Sequence, residues 1–243
     1  MLRKTLSSFL ISFIVTLASC VPNDPVSLSY QGHGGEIALT AIAKKNYLKA
    51  SEALEVELAN FPLGRNNQYW RFLLAEVYYR SNNLSKALAA TESYLDLFPS
   101  GRYLTEIYYL RGLILVGFNR GRIESLLGAD FSERDNSYVM QARNSFRIVL
   151  SRDPNGSFAS SSREWLQYIS DLLARREIRT AIFYYNKKAY VGAINRALVI
   201  IRNYPNTTAN LPALRLLAKT YRQLGLSNEK REIEARLVKA SLG

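Results

Sequence analysis

Residues 69–99 read YWRFLLAEVYYRSNNLSKALAATESYLDLFP and contain one complete copy of a pattern that recurs along the chain. Ala75 is followed three residues later by Tyr78, Ala87 comes next, and Pro99 stands twelve residues after Ala87. Apolar residues recur at helical spacing on both sides of the polar turn Ser81-Asn82-Asn83. The segment therefore predicts two helices joined by a tight turn and stopped by a proline, because proline cannot continue a helix.

The alanine and the proline keep the same separation of twelve residues in four copies. An alanine at a fixed position is expected where two helices cross closely, since a larger side chain would push them apart. This layout is that of the tetratricopeptide (TPR) repeat, and it predicts an all-α TPR solenoid of about five helix-turn-helix units. The alanine–proline pairs are Ala50/Pro62, Ala87/Pro99, Ala142/Pro154 and Ala193/Pro205. The small-then-large pairs in the first helices are Ala75/Tyr78, Gly112/Leu115, Ala181/Tyr184 and Ala218/Tyr221, with Ala38/Ala41 as a degenerate first copy.

Two of the spacings between units are longer than one repeat. We interpret the first as an insertion in the third unit, residues 119–136, and the second as one long helix from about 158 to 186 between the third and fourth units. The predicted domains are N-terminal TPR units over 36–118, the insertion, and C-terminal TPR units over 137–243. The charged outer face of the last helix is typical of a solenoid cap.

The N-terminus has the features of a bacterial lipoprotein signal. Arg3 and Lys4 precede an apolar stretch that ends in Leu17-Ala18-Ser19-Cys20, which matches the lipobox. We expect a signal peptide over 1–19, a covalent diacylglycerol and N-acyl chain on Cys20, and a tether over 20–35. Val21 in place of Asp resembles the sorting pattern of lipoproteins of the outer membrane, on its periplasmic face.

The net charge is +12, and it falls to +10 when Arg3 and Lys4 leave with the signal peptide. A basic chain suits an acidic protein partner or acidic lipid headgroups, and a solvated basic surface is an equal alternative. The periplasmic address makes nucleic acid implausible as a partner.

Catalytic and metal-binding patterns are missing from the sequence. His33 is the only histidine, it lies in the predicted tether, and no metalloprotease, nucleophile-elbow or P-loop motif occurs. Asp130, Glu133 and Asp135 lack the glycine and terminal glutamate of a calcium loop. The sequence predicts a scaffold that is not an enzyme and has no metal and no cofactor.

The first helices of a TPR stack line its concave face, where we expect a groove for a peptide. Aromatic rings offer rigid apolar area there, and Arg80 could bind a carboxylate. The alternative is that these rings only pack neighbouring helices. The predicted groove residues are Tyr69, Phe72, Glu76, Tyr79 and Arg80, followed by Glu106 and Tyr109.

Three motifs resemble the BamD family, the lipoproteins of the β-barrel assembly machinery. Residues 109–113 read YLRGL, similar to the family's Y-x-R-G-L, and residues 192–196 read GAINR. The insertion reads LGADFSERD over 127–135, close to the family's F-G-x-D-x-S-x-R-D, with Leu127 in place of the family's Phe and Asn136 in place of a common Pro. The matching insertion residues are Gly128, Asp130, Ser132, Arg134 and Asp135.

The resemblance implies partners and their sites. The N-terminal repeats are expected to bind unfolded outer-membrane proteins, and the C-terminal repeats to dock a POTRA domain of BamA through Asn195 and Arg196. Other Bam lipoproteins are expected where they are present. The alternative is a different periplasmic TPR lipoprotein, acting in pilus biogenesis or as an adaptor for cell-wall hydrolases. We do not expect an enzyme with a TPR accessory region, because the repeats leave no chain for a catalytic domain.

Overall fold

The computed structural model describes residues 33–125 and 137–241. Those residues form ten α-helices and no strand. The helices are α1 (His33–Ala43), α2 (Tyr47–Asn60), α3 (Asn67–Arg80), α4 (Leu84–Leu97), α5 (Leu104–Ser125), α6 (Ser137–Arg152), α7 (Ala159–Asn186), α8 (Tyr190–Asn203), α9 (Asn210–Gln223) and α10 (Ser227–Ser241).

Each helix packs against the next one in the chain, so that the helices form five antiparallel pairs stacked in order. The first helices of neighbouring pairs also contact each other, α3 with α5 and α7 with α9. This is the arrangement of a solenoid in which each unit touches its neighbours. The prediction of an all-α TPR solenoid with about five units is confirmed.

The small residues of the repeat lie where two helices cross. Ala50, Ala87, Ala142 and Ala193 have no exposed surface at all. At the small position of the first helix α5, a Cβ on Gly112 would lie 2.6 Å from Cζ of the buried Phe146 ring, nearer than atoms can approach. Close helix contact therefore explains why these positions carry Ala or Gly.

Local hydrogen bonds set the ends of the helices. The Asn46 and Asn83 side chains accept from the backbone N–H groups of Lys49 and Lys86, at 3.1 and 3.2 Å, and so cap α2 and α4. The turn inside a pair contains a left-handed residue, for example Asn82 with φ of 59°. The second helices of the first four pairs end directly before a Phe-Pro, Asp-Pro or Tyr-Pro step, as the prolines predict.

Helix α7 has 28 residues, and it begins one residue after the predicted start of the long helix and ends where predicted. Two boundaries differ from the prediction. Helix α1 begins at His33, inside the predicted tether, and its Gly35 lies so close to the buried Trp70 ring that a Cβ would be 2.3 Å from Cζ2. Helix α5 continues through Ser125, so residues 119–125 of the predicted insertion are helical.

Candidate functional site

Two of the predicted groove residues lie in the core. Phe72 is 5% exposed and stacks on Tyr103 with ring centroids 5.2 Å apart. Tyr109 is 4% exposed and lies between Phe146 and Phe158. Both side chains face the start of the next helix pair, which covers them. For Phe72 and Tyr109 the prediction of an open groove surface is therefore wrong.

The other predicted groove residues remain partly exposed on α3 and α5. Tyr69 lies beside Trp70, with centroids 4.9 Å apart, and its burial raises the pKa of its hydroxyl. Arg80 donates from Nε to Oε1 of Glu76 at 3.0 Å, so its carboxylate partner in this structure is internal. Tyr79 packs at the junction of two core clusters. Burial also raises the pKa of the Glu106 carboxyl, which favours its protonated form.

Tyr78 forms a junction among three helices that the sequence did not predict. Its hydroxyl donates to Oε1 of Glu55 on α2, and the Lys86 ammonium on α4 lies 3.3 Å from the same oxygen. The hydrogen bond from Tyr78 lowers the pKa of the Glu55 carboxyl. The pKa of the Tyr78 hydroxyl is raised strongly, first by burial and second by its hydrogen bond to Glu55. The recurrence of Tyr three residues after the small residue was the available signal, but its partner is distant in sequence.

Arg111 of the YLRGL motif connects the two halves of the stack. Its guanidinium donates to Glu92 on α4 at 2.7 Å, and to Ser145 and Gln141 on α6 at 2.9 and 3.2 Å. The side chain is only 14% exposed. The guanidinium N–H groups of Arg111 form hydrogen bonds within the chain, so this residue holds helices together and is a poor candidate for contact with a partner.

Asn195 and Arg196 lie on α8, next to the long helix α7. Asn195 is exposed. Nη1 of Arg196 lies 3.3 Å from Oε2 of Glu177 on α7, and 37% of the arginine side chain remains exposed. The ion pair orients the guanidinium at the α7–α8 seam while leaving part of it open to solvent.

The remaining predicted site residues lie outside the described residues. These are Cys20, the tether before His33, and Gly128, Asp130, Ser132, Arg134 and Asp135 of the insertion. Within the described ranges there is no cluster of His, Cys, Asp and Glu that could hold a metal ion. In the same ranges, no helix combines the length and apolarity needed to cross a bilayer.

Comparison with known proteins covers the whole stack. Residues 36–237, from the first turn of α1 to the last turns of α10, match the family model YfiO, described as outer membrane lipoprotein. The chain belongs to this family. The match spans both repeat halves and the insertion, so it concerns the complete fold and not a generic repeat unit.

Several proteins that are similar to this chain carry the name "Outer membrane protein assembly factor BamD". The protein from Vibrio cholerae is 30% identical over 208 residues, which are 86% of this chain and 84% of the relative. The protein from Neisseria meningitidis serogroup A is 31% identical and covers 74% of this chain and 67% of the relative. These relatives are named as assembly factors, and this chain, as a member of the same non-enzymatic family, is not an enzyme.

Among solved structures, a tetratricopeptide repeat protein from Parabacteroides merdae is 14% identical with a TM-score of 0.41. The match covers 85% of this chain and 78% of the Parabacteroides merdae protein. The assignment of the fold rests instead on the five helix pairs described above.

Proposed function

We propose that this chain is a scaffold for the assembly of outer-membrane proteins, held by lipid on Cys20 at the periplasmic face of the outer membrane. In this proposal the C-terminal helix pairs dock a POTRA domain of BamA, and the N-terminal pairs receive unfolded outer-membrane proteins. The observation that carries the proposal is the family match across residues 36–237. The relatives that this chain matches over most of their length are named as assembly factors.

Arg196 is the residue on which the docking proposal depends. The Arg196 guanidinium already pairs with one carboxylate, and part of its surface is exposed. It can therefore donate further hydrogen bonds to an acidic group of a partner. Glu177 holds it in position, so that little side-chain entropy is lost on docking. Asn195, one residue earlier and exposed, would add a neutral hydrogen bond at the same place.

The N-terminal half offers a narrower surface for substrate than the sequence predicts. With Phe72 and Tyr109 buried, the contact area would come from Tyr69 and Tyr79, with Glu76 and Arg80 beside them. Tyrosines present an apolar ring and a polar hydroxyl, which suits an extended segment of varied sequence. The insertion motif Gly128–Asp135 would complete this half or contact another Bam lipoprotein.

Co-purification from detergent-solubilised outer membrane tests the assembly role. A C-terminally tagged chain is expected to bring down BamA in stoichiometric amount. If BamA is absent and a pilus or cell-wall protein appears instead, the assembly role is excluded and the other class of TPR lipoprotein is supported.

Charge reversal at Arg196 tests the docking site. Arg196→Glu is expected to lower BamA recovery, because a carboxylate would then face the acidic group of the partner. The control is Arg202→Glu, which reverses the charge of an exposed residue on the same helix. The swap Arg196→Glu with Glu177→Arg rebuilds the internal ion pair with its ends exchanged. It should restore the melting temperature but not BamA binding, and restored binding would show that Arg196 acts only through the fold.

A further inference from the structure

The last helix pair, α9 and α10, carries an open groove on the side where every earlier pair receives the next unit. Ala218 and Leu237 form its apolar floor, and Arg215, Lys219, Arg222 and Glu234 form its walls. The groove encloses about 400 Å³. In the described residues no helix packs into it.

Two arginines occupy positions that are apolar or aromatic in the other units. Counted from the small residue of each first helix, Arg215 is three residues before Ala218, and Arg222 is four residues after it. Those two positions carry the contacts between consecutive pairs elsewhere in the stack. The residues equivalent to Arg215 are Phe72, Tyr109 and Ile178, and those equivalent to Arg222 are Tyr79, Val116 and Tyr185.

The charges in this groove differ from those on a simple solvated cap. Two of the four cations of α10 are matched by acids, since Lys230 lies 3.4 Å from Glu234 and Arg236 lies 2.8 Å from Glu232. None of the three cations of α9 pairs with a carboxylate of the described residues; the Lys219 ammonium lies instead 4.6 Å from the centre of the Tyr185 ring. The α9 wall is therefore positive without internal compensation.

We propose that the α9–α10 groove docks an acidic amphipathic helix of a partner protein. The groove occupies the place of a next first helix, which gives the occupant its helical form. Apolar side chains of that helix would cover Ala218 and Leu237, and carboxylates on its flank would meet Arg215, Lys219 and Arg222. These cations span roughly 10 Å along α9, so acids three or four residues apart on the partner match them.

The site is distinct from the proposed BamA contact at Arg196 and does not depend on it. A partner docked at the end of the stack would also extend the solenoid and shield its last apolar surface. Because the charges would form pairs at a half-exposed surface, they would favour the correct partner and speed its encounter, and the apolar floor would supply most of the affinity.

Fluorescence anisotropy with the full mature chain tests the proposal. The probe is a synthetic amphipathic helix of Leu, Ala and Glu, and its matched control has every Glu replaced by Gln. We expect the acidic probe to bind with an affinity that falls as salt rises, and the Gln probe to bind at least about tenfold more weakly.

The variant Arg215→Glu/Arg222→Glu is expected to weaken binding of the acidic probe by about tenfold or more. Its control is Lys44→Glu/Arg147→Glu, which makes the same change in net charge at exposed cations outside the groove. Circular dichroism should show the same helix content in both, because all four residues are exposed. The proposal is overturned if the acidic probe does not bind, if both probes bind equally, or if the control variant loses as much affinity as the groove variant.

Discussion

Gly112 shows how a single atom limits the packing of this stack. It faces the ring of Phe146, which is fully buried. Gly117, one and a half turns later on the same helix, would place a Cβ 3.1 Å from the flexible end of Leu84. The two glycines have the same helical backbone and differ in what lies opposite.

Alanine at these two glycines should have different effects on stability. Both substitutions gain about 1 kcal/mol of helix propensity, so that term cancels in the comparison. Gly112→Ala should then be less stable than Gly117→Ala by about 1–3 kcal/mol, the usual cost of overpacking a core. Urea unfolding followed by circular dichroism measures the difference, and equal midpoints would mean that Phe146 gives way.

Tyr78 should stabilise the fold through its hydroxyl. Tyr78→Phe removes the hydrogen bond to Glu55 but leaves the ring. We expect the free energy of unfolding to fall by about 1 kcal/mol, because Glu55 is half-exposed and water replaces the donor.

The folded state lowers the pKa of Glu55 below its ordinary 4.5. Its contribution is therefore present above that value and is lost as the pH falls through the lowered pKa. The difference between wild type and Tyr78→Phe should therefore shrink as the pH falls below 4.5, and a constant difference would contradict this origin.

At the scale of helices, Arg111 joins two helices that are not consecutive in the chain. A solenoid has only contacts between neighbouring units, so its cooperativity depends on each junction. Arg111 connects α4 to α6 across α5, at the border of the N-terminal and C-terminal halves. Its bonds are polar and directional, and they complement the aromatic packing of Tyr109 on Phe146 beside them.

Removal of the Arg111 fork should loosen this junction. Arg111→Met keeps the apolar stem and leaves Ser145 without its donor, and we expect a loss of about 2 kcal/mol. The unfolding transition in urea should also broaden, because the two halves would no longer unfold as one unit. Arg147→Met on the exposed face of α6 is the matched control. A sharp transition at an unchanged midpoint would show that Arg111 does not couple the halves.

At the scale of the whole molecule, the attachment to the membrane concerns the entire chain. The described helices include no candidate membrane span. Without residues 1–19 the net charge would be +10, and such a chain could adhere to acidic headgroups by charge alone. Lipid on Cys20 and charge attraction predict different responses to salt, since salt screens only the second.

Cys20→Ala should leave the protein unlipidated and released from membranes. Fractionation in low salt and after a high-salt wash separates the two kinds of attachment, with the unsubstituted chain as the control. The variant is expected in the soluble fraction after the wash, whereas the unsubstituted chain stays with the outer membrane. Retention of the variant after the wash would exclude the lipid as the main anchor.

The sequence by itself determined the helix pairs, because their signals are local. The Ala–Pro spacing marks each crossing and each stop, and the uninterrupted helical pattern up to Asn186 predicts α7 within one residue. The motifs around Gly112 and Arg196 also pointed to the family. All of these depend on residues that lie close together in the sequence.

The tertiary structure decided which side chains remain at the surface. Phe72 and Tyr109 have the spacing of groove residues, but the next pair covers them, and Arg80 and Arg196 already hold internal carboxylates. At the equivalent positions of the last pair, Arg215 and Arg222 stay open because no further helix among the described residues packs on them. The same helical position is core or surface according to the neighbouring unit, and that neighbour lies tens of residues away in sequence.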